Sequence, residues 1–173
     1  MSGTEIEILG LIAGRRERRP QRDLPALVEL FRHLGACSPR EATETEDRIW
    51  GAWMHHPHRA AAQVLDAATR DIAAKRYDIA ETRLTALLRS APQFAEAWHK
   101  RATLYYLLGR DEDCLDDIRR TLELEPRHFG AMLHFAEILL GAGADDDARF
   151  AFCAVLTLHP HAPRPLEVLS DKA

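Results

Sequence analysis

Apolar residues recur along most of the chain at steps of three and four positions, the spacing of one face of a helix. No stretch shows the strict alternation of apolar and polar residues that a half-buried strand requires. Glycines interrupt the pattern at Gly109-Arg110 and Gly143-Ala144, because glycine adopts the left-handed conformation that ends a helix at little cost. In the first unit Lys75-Arg76 takes the corresponding helix-ending position, for which it is less suited. The pattern predicts an all-α chain of short helices.

The helical pattern repeats with a period of 34 residues. Pro92, Pro126 and Pro160 follow this spacing, and each proline would stop one helix and set the entry to the next unit. The same spacing relates further sets, namely Ala68, Ala102 and Ala136, Leu88, Leu122 and Leu156, and Val64, Trp98 and Met132. Three units of two helices each are predicted, over residues 61–94, 95–128 and 129–162.

Acidic residues open the second helix of every unit. Asp78, Glu112 and Asp146 lie 34 residues apart in its first turn, where the helix dipole favours negative charge by a few tenths to about 1 kcal/mol. Helix capping therefore explains the acidic clusters at 111–113 and 145–147 better than a calcium loop, which needs a Gly and a distal Glu.

The repeating unit resembles the tetratricopeptide repeat (TPR), a helix-turn-helix of 34 residues with a recurring pattern of aromatic, small and proline positions. The middle unit matches best, through Trp98, Ala102, Tyr105, Cys114, Ile118 and Pro126. Arg101 departs from the usual Leu, and Asp71 stands where the family prefers a large aromatic residue. The resemblance covers residues 61–162 and implies an all-α solenoid (an α-α superhelix) that serves as a protein-interaction module.

The remaining sequence divides into three segments. Residues 1–22 resemble a flexible basic leader because arginines crowd positions 15–22, and residues 163–173 form a short tail. Two apolar stripes within residues 23–60 predict an N-terminal helical pair, either a degenerate repeat or a cap. Trp50 and Trp53 share one face of its second helix, and we expect them to pack on the first full repeat.

Composition narrows the class of function. The net charge of −4, from 23 basic and 27 acidic residues, gives no overall reason to bind nucleic acid or an anionic membrane. Three cysteines without a C-x-x-C pair suggest reduced thiols and a cytoplasmic location, and a start upstream of Met1 could instead encode export to the periplasm. An excess of Arg over Lys suggests a bacterial source.

No enzyme motif is found, and neither a catalytic residue nor a cofactor is predicted. Histidines cluster at 55–58 and flank Pro160 as His159 and His161, and these are interpreted as exposed helix ends rather than metal ligands. A histidine-based metal-binding protein remains the less favoured alternative.

In stacked TPR units the first helices line a groove, so its residues can be assigned by phase. The resemblance predicts a partner-binding groove formed by Asp66, Thr69, Glu96, His99, Lys100, Thr103, Tyr106, His134 and Glu137. We expect this groove to bind a peptide or helix of another protein, as an adaptor or scaffold does. The alternative is a self-associating protein that forms a homodimer through an exposed repeat end.

Overall fold

A computed structural model describes residues 1–21 and 24–170, and this part of the chain contains ten α-helices and no strand. The helices are α1 (Gly3–Ala13), α2 (Pro25–Leu34), α3 (Pro39–Met54), α4 (Arg59–Ala73), α5 (Tyr77–Ser90), α6 (Ala95–Leu107), α7 (Asp111–Leu124), α8 (Phe129–Gly141), α9 (Asp145–Leu158) and α10 (Pro163–Ser170). The predicted all-α fold class is confirmed. The end of the leader at residue 22, the start of the helical pair at residue 23, and tail residues 171–173 lie outside the described residues.

Three helix pairs, α4–α5, α6–α7 and α8–α9, pack in sequence as a repeat array. The first helices (α4, α6 and α8) contact one another and form what we call the inner face of the array. The turn within each pair has one left-handed residue, at Lys75 (φ 58°), Gly109 (φ 67°) and Gly143 (φ 73°). Ala102 and Ala136 are fully buried at the crossings, which lets the paired backbones approach closely.

Arg101 stands where the family usually has Leu, and its side chain connects three helices. Its guanidinium donates hydrogen bonds to both carboxylate oxygens of Asp117 on α7, at 2.7 and 2.9 Å, and to Thr85 on α5 at 3.2 Å. The ring of Trp98 lies 5.0 Å from the guanidinium carbon. A bidentate, half-buried ion pair of this kind fixes geometry as well as charge.

Asp71 is buried where the family prefers an aromatic residue, and it forms a polar centre in the first repeat. Its carboxylate accepts hydrogen bonds from Arg76 at 2.6 and 2.9 Å and from Arg83 at 2.9 Å. The hydrogen bond from Arg76 lowers the pKa of Asp71 and outweighs the opposite effect of burial. Two arginines thus tie the turn and the second helix to α4.

The predicted flexible leader is instead an ordered helix, and this prediction needs correction. Ser2 and Glu5 form a capping box at the start of α1, and Ile8 and Ile12 on this helix are fully buried. The helix packs against α7 and α9, which are second helices of the array. Basic side chains alone suggested a solvated segment, but the apolar stripe between the acidic and basic clusters determines the structure.

The arginines after α1 bind the repeat array. Arg18 donates to the carbonyl oxygens of Leu122 and Glu123, at 3.2 and 3.1 Å, and Arg15 donates to the hydroxyl of Thr157 at 2.6 Å. Leu122 and Glu123 lie in the last turn of α7, where carbonyl groups lack partners within the helix. The segment therefore passes over the end of α7 toward the opposite side of the array.

Candidate functional site

Helix α3 lies along the inner face and contacts the loops that join successive repeats. The helix and the residues on either side of it each meet a different part of the array. The contacts are Cys37 O with His161 Nε2 at 2.9 Å, Glu46 Oε2 with His159 Nε2 at 3.1 Å, Trp53 stacked on His128 with ring centroids 4.1 Å apart, and His56 beside Phe94 at 4.6 Å. The N-terminal pair therefore covers the loops between repeats and the adjoining start of α6.

Trp50 on α3 packs against the second and third repeats. A Cβ atom on Gly130, near the start of α8, would lie 2.5 Å from ring atom Cη2 of Trp50. The indole also stacks on the ring of His99, with centroids 5.5 Å apart, and the ammonium of Lys100 lies 5.2 Å from its centroid. The two tryptophans were expected on the first repeat, but they pack on the second and third.

Four stacked rings form a column from the covered part of the inner face to its open part. Trp50, His99, His134 and Tyr106 follow one another with centroid separations of 5.5, 5.2 and 5.2 Å and interplanar angles of 24°, 20° and 15°. Tyr106 ends the column and is 37% exposed. Burial lowers the pKa of His99 to about 3 and that of His134 to about 4, so both imidazoles are neutral at pH 7.

Glu96 is the buried acid of this face, with only 1% of its surface exposed. Its Oε2 accepts a hydrogen bond from His128 Nε2 at 2.9 Å, and the Lys100 ammonium lies 3.1 Å from Oε1. Burial raises the pKa of Glu96, but the His128 hydrogen bond and the nearby imidazoles outweigh it and hold the pKa well below its usual range. Glu96 is therefore a buried carboxylate with polar neighbours.

The structure separates the predicted groove residues into two groups. Glu96 and His99 are buried beneath α3, so the prediction that they meet a partner is corrected. The side chain of Lys100 is only 19% exposed. The other residues of the set are partly or largely accessible, namely Asp66, Thr69, Thr103, Tyr106, His134 and Glu137. The Thr69 and Thr103 hydroxyls donate to carbonyls of their own helices, and Asp66 pairs with Arg70.

The two histidines flanking Pro160 were predicted to be exposed, and this is also corrected. His159 is 3% exposed and pairs with Glu46, while His161 donates to a backbone carbonyl of the α2–α3 turn. Both hold the N-terminal pair against the end of the array. A helix-terminal sequence pattern could not reveal these partners, because they lie more than 100 residues away along the chain.

An open cleft of ≈ 510 Å³ lies between Tyr106 and the start of α1, and we call it the acidic cleft. Its wall includes four carboxylates, from Glu5, Asp111, Glu112 and Glu137, with apolar surface from Tyr106, Leu115 and Ile138. Among the described residues no Lys or Arg lines it. Sequence reasoning treated Asp111 and Glu112 only as helix caps and placed Glu5 in a flexible leader, so it missed this surface.

Comparison with known proteins identifies the family. No protein-family model matches the chain. A TPR repeat-containing protein of Rhizobium etli is 30% identical over 150 residues, which cover 84% of this chain and 74% of that protein. No helix among the described residues is both long and apolar enough to cross a membrane. With three helix pairs at the 34-residue period and this relative, the chain belongs to the tetratricopeptide repeat family.

Proposed function

We propose that the protein is a non-catalytic TPR interaction module that binds a basic segment of another protein in the acidic cleft. The observation that carries this proposal is the position of the cleft beside Tyr106, where the inner face is not covered by α3. The three free cysteines, Cys37, Cys114 and Cys153, fit a reducing compartment such as the cytoplasm.

The chemistry of the cleft favours lysine or arginine side chains in a partner. Their aliphatic stems would pack on Tyr106 and Leu115, and their charged ends would reach the carboxylates of Asp111 and Glu112. Glu137 already pairs with Arg164 at 2.6 Å, so it contributes less free negative charge. A micromolar dissociation constant, about −8 kcal/mol, is an ordinary affinity for such a contact.

The test is affinity capture from a lysate of the source organism with the immobilised full chain, followed by mass spectrometry. Tyr106→Ala removes the apolar contact and Glu112→Lys reverses one charge of the cleft. Asp146→Lys is the matched control, because Asp146 occupies the same repeat position in the first turn of α9 and lies outside the cleft. Both changes therefore carry the same unfavourable interaction with a helix dipole.

We expect the two cleft variants to lose the partner and the control to retain it. A basic peptide from that partner should then bind the full chain more weakly at high salt, because the carboxylates are exposed. Equal capture by all three variants would place the binding site elsewhere on the molecule.

Self-association is the second candidate, favoured by two apolar side chains left exposed on the last helices. Phe150 on α9 is 42% exposed and Leu166 on α10 is 43% exposed. Light scattering over a range of concentrations measures the oligomeric state, and Phe150→Glu should dissociate a dimer formed through this surface. A monomer at high micromolar concentration removes this candidate.

A further inference from the structure

Three side chains capable of binding a metal converge beneath α3. Glu96, His99 and His128 each offer one ligand atom, and these atoms lie within 4.8 Å of one another. All three residues are buried, at 1%, 3% and 0% exposure. The group is distinct from the histidines at 55–58 and from the acidic cleft.

Each imidazole lies beside a different oxygen of the Glu96 carboxylate, at a separation close to that between two ligands of one ion. Glu96 Oε2 and His128 Nε2 are 2.9 Å apart, and Glu96 Oε1 and His99 Nδ1 are 3.6 Å apart. Two ligands bound to zinc at tetrahedral angles, with bonds of about 2.0 to 2.1 Å, lie about 3.3 Å from each other. Small shifts of the side chains would place an ion between them.

The secondary structure holds these ligands in place. Glu96 and His99 are three residues apart on α6, so they share one face of the helix, as the Glu-x-x-His pair does in metal sites within helix bundles. His128 is the N-cap of α8, where its Nδ1 accepts a hydrogen bond from the amide of Ala131 at 3.2 Å. Ligands fixed on rigid elements favour a defined coordination geometry.

Some polar atoms of this cluster lack hydrogen-bond partners. Both ring nitrogens of His99 are buried and have no hydrogen-bond partner among the described residues, although Nδ1 lies 3.6 Å from Glu96 Oε1. Such atoms are costly to bury without a compensating interaction, and they are uncommon in folded proteins. A neutral imidazole has a lone pair on one ring nitrogen, which a metal ion can use.

We propose that Glu96, His99 and His128 form a buried site for a divalent transition-metal ion of the zinc class. One carboxylate and two imidazoles make a donor set suited to zinc, and cobalt can report on the same geometry. Bound metal would join α6 to the start of α8, directly beneath the tryptophans of α3.

Two interactions in this structure would have to change before an ion could bind. The Lys100 ammonium, 3.1 Å from Glu96 Oε1, would have to turn toward solvent. His128 Nε2 carries the proton that it donates to Glu96, because Nδ1 accepts from Ala131. An ion would take the place of this proton on Nε2. The neutral ring would then carry the proton on Nδ1 and lose its cap to the Ala131 amide, with no net release of a proton.

The experiment measures zinc binding to the metal-free full chain by equilibrium dialysis, and the absorption spectrum of Co²⁺ titrated into the same protein. Glu96→Gln removes the charged ligand with little change in shape. His128→Asn removes the ring ligand but keeps a side chain suited to an N-cap. His33→Ala, which changes an exposed residue of α2, is the control for zinc bound by surface histidines.

We expect one zinc per chain, a tetrahedral cobalt spectrum, and a dissociation constant that rises about tenfold or more in both ligand variants but not in His33→Ala. Lys100→Gln should tighten zinc binding, because it removes the competing cation. A purely structural role of the cluster would not produce this opposite effect.

Weak or multiple zinc binding that is equal in the wild type and the ligand variants would overturn the proposal, as would binding that Lys100→Gln weakens. If a ligand variant does not fold by circular dichroism, the wild-type cobalt spectrum and the Lys100→Gln titration still decide the outcome. An octahedral cobalt spectrum with unchanged zinc affinity in Lys100→Gln also overturns the site.

Discussion

Replacing Gly130 by alanine tests whether Trp50 packs on the start of α8. The added methyl group would lie 2.5 Å from Trp50 Cη2 and 3.2 Å from the His99 ring, both too close for an unshifted structure. The indole has little room to move, because the rings of Trp53, His99 and Phe129 lie 5.2, 5.5 and 5.3 Å from it. The methyl group must therefore displace α3 from the array.

The size of the effect follows from two opposing contributions. Overpacking of a well-packed region costs about 1 to 3 kcal/mol. Alanine in place of glycine within a helix gains about 0.5 to 1 kcal/mol. We expect Gly130→Ala to lower the free energy of unfolding by up to roughly 2.5 kcal/mol, as the difference between these contributions.

Gly51→Ala is the matched control, because Gly51 lies within α3 and a Cβ atom there would meet nothing within 4 Å. Urea unfolding followed by circular dichroism should show a gain of about 0.5 to 1 kcal/mol for this variant. Trp50→Phe removes the atom that clashes, so Gly130→Ala should cost about 1 kcal/mol less when the two changes are combined. A Gly130→Ala protein that gains as much stability as Gly51→Ala would refute the packing of α3 on α8.

Three further measurements test other parts of the structure. His99 and His134 have pKa values lowered to about 3 and about 4, below the ordinary value near 6.5, so the unfolded state binds their protons first. Stability measured by urea titration should therefore fall as pH decreases from about 6.5 to 4, and less steeply in His134→Phe. Lys75→Gly should raise the free energy of unfolding by up to about 1 kcal/mol, since Lys75 holds a left-handed conformation with φ of 58°. Ile12→Ala should cost about 2 to 4 kcal/mol because Ile12 is fully buried, whereas Ile6→Ala, 57% exposed, should stay within about 0.5 kcal/mol in the same assay.

The repeat array could be predicted from sequence because its determinants are local. The spacing of Pro92, Pro126 and Pro160 places the breaks between helix pairs, and Gly109 and Gly143 place the turns within them. Each of these residues acts on the backbone of its own neighbourhood, through a fixed φ or a left-handed conformation. A period of 34 then repeats the same local information three times.

The covered part of the inner face could not be predicted in this way. Helical phase correctly assigns Glu96 and His99 to the first helix of their repeat, but phase does not reveal whether another segment of the chain lies over them. That contact depends on Trp50, which meets the array some 50 to 80 residues away along the chain. One residue of the sequence did indicate that something packs on this face. Gly130 stands 34 residues after Glu96, at an inner-face position where a side chain would be expected.

The N-terminal segment is therefore part of the repeat structure rather than an attachment to it. Helix α1 packs on second helices and α3 lies on the inner face, so the segment contacts both sides of the array. Buried residues of α1 and α3, such as Ile12 and Ile49, belong to the same apolar cluster as Phe135 and Phe152 of the last repeat. Because α3 occupies the part of the inner face that holds Glu96, our proposal places a partner at the Tyr106 end, where the carboxylates of the acidic cleft lie. The described residues of the N-terminal segment thus determine which part of the inner face remains uncovered.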